Sequence, residues 1–181
     1  MWDYSKFLQA LRLLEPDAAV PAFSGFHPAS FGSTYYAYMK MDENSMMQEL
    51  REKESFTNNR IEEPASTGIY YFKSYKLFEK FASQYIKDPI QKLNEFYVSL
   101  VLNYMLEENL KVYVPFVDKF ICLGTPEDYA EYSFWENKKN LNYAELKNEV
   151  SLKFDKFKDI SKDSLDQNHR YWDELENAIR K

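Results

Sequence analysis

A chain of 181 residues with a formal charge of −6, 18 % aromatic residues and 4 glycines suits one domain large enough to bury its own core. The acidic balance argues against nonspecific nucleic-acid binding, which rests on Lys and Arg neutralising phosphates, and leaves room for local basic pockets. A single cysteine, Cys122, cannot form an intramolecular disulfide and favours a reducing compartment. No run approaches the roughly 18 apolar residues of a membrane span, and the N-terminal "MWDYSKFLQALRLLEPD" carries acids where a signal peptide needs an apolar core. The expectation is a cytoplasmic protein with neither nucleic acid nor membrane as partner.

The first predicted element is a helix over "DYSKFLQALRLLE". Phe7, Leu8, Leu11 and Leu14 stand at helical spacing, Asp3 or Ser5 caps it and Pro16 closes it. "AAVPAFSGF" is short, apolar and turn-bounded. It is expected to be a buried strand with Pro21 at its start or edge, because proline has no N–H to donate. "STYYAYMKMDEN" and "MMQELREK" pair as a hairpin across the Asp42-Glu43-Asn44 turn, with Met47, Glu49 and Arg51 alternating against Gln48, Leu50 and Glu52. "TGIYYFKS" is a further, central strand.

Apolar residues from Leu77 to Ile86 give an amphipathic helix stopped by Asp88-Pro89, and a second helix runs from Glu95 to Leu106. "LKVYVPF" and "KFICLG" are strands, with Cys122 expected as a buried, inert thiol. "TPEDYAEYSFWENKK" is a helix capped by Thr125, with Pro126 at its first position. Strands alternating with helices define an α/β fold in which a mixed sheet is flanked by helices. From Asn140 on the chain is charge-rich with one apolar seam, which suits a helical pair and equally a solvated tail. His169 has no Cys or second His nearby, which argues against a metal role.

Three short stretches bear on chemistry. In "REKES", Glu52 and Lys53 sit at a strand end, where a carboxylate can accept ligand hydroxyls and an ammonium can meet a phosphate; a solvated charge cluster gives the same pattern. In "STGIYYF", Gly68 lies inside a strand, which marks either a close ligand or a bulge. In "LGTPEDY", a helix N-terminus could hold an anion, but Glu127 and Asp128 already answer its dipole.

The order of these stretches says more than each alone. An FHP segment, a hairpin, "EKES", "STGIYYF", an amphipathic helix, "EFYV…N" and "LGTPEDY" succeed one another over residues 26 to 132. This succession resembles the C-terminal half of the sugar-1-phosphate nucleotidyltransferase family, nearest to the branch of capsular polysaccharide and surface-glycan pathways. The resemblance implies a partial Rossmann-like fold with a mixed sheet flanked by helices over residues 1–136, and a helical extension over 137–181. It implies Mg²⁺-dependent transfer of a nucleoside monophosphate from a nucleoside triphosphate to a sugar phosphate or similar phosphorylated metabolite. Carried over, the family's Glu-Lys pair falls on Glu52, toward the acceptor hydroxyls, and Lys53, toward its phosphate. Gly68 and Tyr70 shape the acceptor pocket, and Glu95 and Asn103 line it. No catalytic residue is assigned.

The family's opening glycine-rich loop, with its Arg and Lys, has no counterpart here, since the first glycine is Gly25. One metal-binding Asp would precede Met1, and the second would fall near Ser99 or Leu100, neither a good Mg²⁺ ligand. The chain is therefore expected to be a truncated acceptor-side half, inactive alone, with no metal ligand assigned. An uncovered sheet edge and apolar face then imply a homo-oligomer. The rival reading is a noncatalytic interaction or dimerisation module. A fresh carboxylate set of Glu52, Asp118 and Asp128 is disfavoured, because these residues lie on different elements.

Overall fold

The computed structural model describes residues 2–25, 36–88 and 95–137, with scattered positions between 144 and 174. The FHP segment, His169 and most of the C-terminal helical seam lie outside the described residues. The chain divides into two compact units, one of residues 2–24 and 35–118 and the other of residue 1, residues 25–34 and residues 119–181. In order, the elements are α1 (Tyr4–Leu14), β1 (Ala18–Ala19), β2 (Ala22–Phe23), β3 (Ala37–Met41), β4 (Met47–Glu52), a 3₁₀ turn (Arg60–Glu62), β5 (Ala65–Ser66), β6 (Tyr71–Phe72), α2 (Tyr75–Lys87), α3 (Val98–Glu107), β7 (Val112–Tyr113) and α4 (Pro126–Asn137).

The first unit is built round the segment that holds Pro21. β1 pairs parallel with β7 and antiparallel with β6, while β2 pairs antiparallel with β5. β1 is thus interior to its sheet, while Pro21 lies between the two strands, directly before β2, which ends the order β2-β5-β3-β4. Proline is tolerated there because of phase. The amides of Ala18, Val20 and Ala22 donate to Lys111, Tyr113 and Pro115, so Pro21 faces the opposite neighbour and the parallel ladder keeps every bond. On that other side the ladder opens. Ala19 pairs with Tyr71 and Ala22 with Ser66, so Val20 and Pro21 face the four residues 67–70. "ASTGIYYF" is therefore two short strands around a bulge, in which Gly68 adopts φ +78° and Thr67 donates its amide and hydroxyl to the Pro21 carbonyl at 3.0 and 2.9 Å.

The hairpin forms as expected, with a correction to its alternation. A bulge between Lys40 and Met41 shifts the register, and residues of opposite parity, Met47 and Leu50, both become buried. They join Ala18, Val20, Met39, Phe81, Val101, Leu102, Met105, Val112 and Val114 in one core. α2 and α3 cover it. Ser74 caps α2 by accepting from the Leu77 amide, and the Tyr104 hydroxyl donates to Asp88 at the end of α2. Burial, reinforced by the charge on Asp88, pushes the Tyr104 phenol up to about 12. At the chain's start the Asp3 side chain accepts from the Lys6 amide and caps α1.

In the second unit, α4 begins as foreseen. Thr125 Oγ1 accepts from the Asp128 amide at 3.1 Å, and the Asp128 carboxylate accepts from the Thr125 amide and hydroxyl at 3.0 and 2.8 Å, a reciprocal cap. "KFICLG" is not a strand. Its Phe120 carbonyl accepts from the Tyr171 hydroxyl instead of pairing in a ladder. Cys122 is half-buried, its Sγ 3.4 Å from the Asp128 carboxylate, and so is not the fully buried thiol its apolar neighbours suggest.

β4 ends the order β2-β5-β3-β4, and its outer backbone groups need partners. Near the turn, Met46 bridges to Tyr113. At Leu50 the Asn103 carboxamide from α3 takes over, accepting from the Leu50 amide at 3.1 Å and donating to the Leu50 carbonyl at 2.9 Å. One side chain replaces a neighbouring strand. Asn103→Ala is expected to destabilise the protein by about 2–3 kcal/mol, two hydrogen bonds lost with a backbone pair left stranded. Urea unfolding measures this, and a loss below about 0.5 kcal/mol would mean that water replaces the amide.

Candidate functional site

The candidate site lies where the N-terminal turn of α3 meets the end of β4. Ser99 and Asn103 are four residues apart and share one helix face, a separation of roughly 6 Å along the axis. Glu52 and Leu50 are two residues apart on one face of the strand, about 6.8 Å. The two spacings match. Asn103 therefore meets Leu50 while the Ser99 hydroxyl donates to Glu52 Oε2, and α3 runs antiparallel to β4. Ser99 is 1 % exposed.

Lys53 follows as β4 ends. Its backbone lies in the left-handed region at φ 60°, a conformation that costs a non-glycine residue roughly 1–2 kcal/mol. Its Nζ stands 3.8 Å from Glu52 Oε1 and 5.7 Å from the centre of the Tyr97 ring. Tyr97 is fixed in turn. Its amide donates to the Tyr85 hydroxyl at 3.4 Å and its own hydroxyl donates to the exposed Glu95 carboxylate, an interaction that pushes the Tyr97 phenol up to about 12.

The bulge supplies the next group. The Tyr70 hydroxyl lies 3.4 Å from Ser66 Oγ, which accepts from the Gly68 amide at 3.1 Å. Burial raises the Tyr70 phenol above its ordinary value; the Ser66 hydrogen bond opposes this, the Glu52 charge adds to it and Ser99 opposes it. Tyr70 stays a neutral hydroxyl at pH 7. A Cβ on Gly68 would meet nothing within 4 Å, so glycine is required there by its φ and not by a close neighbour.

Of the residues singled out in the sequence, Glu52, Lys53 and Tyr70 come together. Gly68 shapes the bulge beside them, Glu95 reaches them through Tyr97, and Asn103 is engaged with the Leu50 backbone. Ser99, Ser66 and Tyr97 are added by the fold. The one signal for Ser99 is a hydroxyl inside the apolar run "VSLVL", since a buried hydroxyl needs a partner. Among the described residues no three His, Cys, Asp or Glu side chains converge on a cation site, and the Glu52 oxygens already face Ser99 and Lys53. The described residues do not supply a donor set for Mg²⁺. Nor is any described helix long and apolar enough to cross a membrane.

The loop after Lys53 is pinned by Glu63, which is 8 % exposed. Its carboxylate accepts from Ser55 Oγ at 2.8 Å, the Phe56 amide at 2.9 Å, the Thr57 amide at 2.7 Å and Thr57 Oγ1 at 2.6 Å. Phe56 lies under the Arg51 guanidinium, 4.3 Å from its ring centre. It lines an open groove of about 510 Å³ with Met39, Met41, Pro64 and Phe116.

Residues 2–139 match the nucleotidyl transferase family, and the chain belongs to that family. Among solved structures it is similar to the nucleoside-diphosphate-sugar pyrophosphorylase from Vibrio cholerae RC9, with a TM-score of 0.54 and 17 % identity. The match covers 65 % of this chain and 46 % of that one, so the chain spans less than half the length of the protein it resembles. The shared feature is the fold, a mixed α/β arrangement of sheets flanked by helices. No curated protein matches the sequence.

For Glu63, burial raises the carboxyl pKa, but the hydrogen bonds from Thr57, Phe56 and Ser55 outweigh it and the net shift is downward. A depressed carboxylate stabilises the fold above its unfolded value, about 4.3, and that contribution disappears as pH falls through the folded value. Glu63→Gln is expected to lower stability by about 1–3 kcal/mol at pH 7, and the wild-type advantage should shrink in acid. Urea titrations at pH 7 and near pH 3 test this; an advantage that does not change with pH would contradict it.

Proposed function

We propose that the unit of residues 2–24 and 35–118 forms the acceptor-binding side of a nucleotidyltransferase that joins a nucleoside monophosphate, taken from a nucleoside triphosphate, to a sugar phosphate in surface-glycan synthesis. Within this partial Rossmann-like fold, Lys53 meets the acceptor phosphate, and Tyr70, with Gly68 shaping its loop, supplies a neutral hydroxyl to the sugar. Glu95 sets the Tyr97 ring that borders the pocket, and Asn103 holds α3 in register with β4.

The observation that carries this reading is the half-exposed Lys53 ammonium, held between the Glu52 carboxylate and the Tyr97 ring in a chain of the nucleotidyl transferase family. The sugar-nucleotide name of the structurally similar Vibrio protein supports a sugar phosphate as acceptor. The groups identified are binding groups, so binding is the property to measure.

Wild-type protein is expected to bind a sugar 1-phosphate in titration calorimetry. Lys53→Gly suits the left-handed backbone at this position, which offsets part of the cost of leaving the enclosed Glu52 carboxylate without its cation, and circular dichroism checks that the variant is folded. It should nevertheless lose tenfold or more in affinity, about 1.4 kcal/mol. Wild-type protein that takes up no heat from millimolar sugar 1-phosphate would overturn the assignment.

A further inference from the structure

The Glu52 side chain is 6 % exposed, whereas that of Lys53 beside it is 48 % exposed. One Glu52 oxygen accepts from the Ser99 hydroxyl, and the other faces Lys53 Nζ at 3.8 Å. A carboxylate enclosed in this way presents little surface to a ligand hydroxyl. Burying it is costly unless a donor and a cation answer its charge, and Ser99 and Lys53 are that donor and that cation.

We propose that Ser99 and Glu52 are positioning residues for Lys53. The serine orients the carboxylate, the carboxylate holds the ammonium, and of the three only Lys53 touches the acceptor. The inference rests on the acceptor reading above and changes the role that the family resemblance gave Glu52, from hydroxyl acceptor to buried counter-ion. Two further contacts suit a held lysine. Its left-handed backbone sits at the end of β4, and the Tyr97 ring beneath the ammonium is itself anchored to Tyr85 and Glu95. The neighbouring, part-buried Tyr70 hydroxyl remains as the neutral group for sugar recognition, with the buried Ser66 hydroxyl holding it. Substrate discrimination therefore resides in the bulge, and phosphate capture at the strand end.

The two roles for Glu52 separate when affinities for inorganic phosphate and for a sugar 1-phosphate are compared. If Glu52 acts through Lys53, Glu52→Gln changes both affinities by the same factor. Ser99→Ala changes both in the same direction and Ser99→Thr restores them; for inorganic phosphate, which carries no sugar to reach the Tyr70 hydroxyl that Ser99 also holds, the double variant matches Glu52→Gln alone. A loss confined to the sugar 1-phosphate, with inorganic phosphate within about twofold of wild type, would make Glu52 a hydroxyl acceptor and overturn the proposal. The second measurement needs no ligand. The Lys53 ε-methylene NMR resonances should shift in Ser99→Ala and return in Ser99→Thr, although Ser99 acts on the lysine only through Glu52. Unmoved Lys53 resonances in Ser99→Ala would sink the inference whatever the binding results. If those resonances move but wild-type protein binds neither phosphate, the acceptor reading fails while the positioning of Lys53 stands.

Discussion

The donor that Pro21 lacks organises the first unit. An extended segment with neighbours on both sides normally bonds to each, and a proline in it leaves one side short. Here the shortfall falls toward the strand that carries "STGIYY", and two residues on one side come to face four on the other. The four-residue bulge needs a left-handed turn, which Gly68 takes at φ +78°, and it brings Tyr70 beside Ser66, within the field of Glu52. The parallel ladder to residues 111–115 is untouched, so the core keeps its centre while the site gains a loop.

A second constraint acts between helix and strand. Four residues of α3 and two residues of β4 span nearly the same length, which lets one helix face make two polar contacts with one strand. The Asn103 contact is structural, standing in for a missing strand at the Leu50 backbone. The Ser99 contact reaches a carboxylate next to an exposed ammonium. Register thus couples sheet stability to site geometry: a shift of α3 that broke one contact would break the other. Two polar groups on an otherwise apolar helix face are also a specificity device, because only one alignment satisfies both.

The loop from Glu54 to Glu63 shows how backbone donors can order a segment that has little secondary structure. Four donors converge on the Glu63 carboxylate, and Phe56 stacks beneath Arg51. Glu63 brings the chain back to β5, so the strand end that carries Lys53 is supported from the loop side as well as from α3. On the site side the supports are Ser99, Tyr97 and the Glu52 carboxylate. A left-handed lysine persists because several independent contacts fix the chain around it.

Much of this was legible in the sequence. Spacing of apolar residues located α1, α2 and α3, cap residues marked the starts of α1 and α4, and the Asp42 turn marked the hairpin. The stretches "EKES", "STGIYYF" and "LGTPED" pointed to the family to which the chain belongs. What failed did so because the deciding partner lies far along the chain. "KFICLG" has the composition of a strand but bonds to Tyr171, some fifty residues on. The alternation along β4 was broken by a bulge opposite Met41, which period-two reasoning does not foresee. That Pro21 costs the parallel ladder nothing depends on which neighbour each amide faces. Glu52 and Lys53 were visible as a pair, but the difference between a solvated charge cluster and a buried carboxylate holding an exposed lysine depended on Ser99, forty-seven residues away. Local pattern set the elements and pointed to the family; only packing of distant segments decided which polar groups were buried, and burial fixes what each can do.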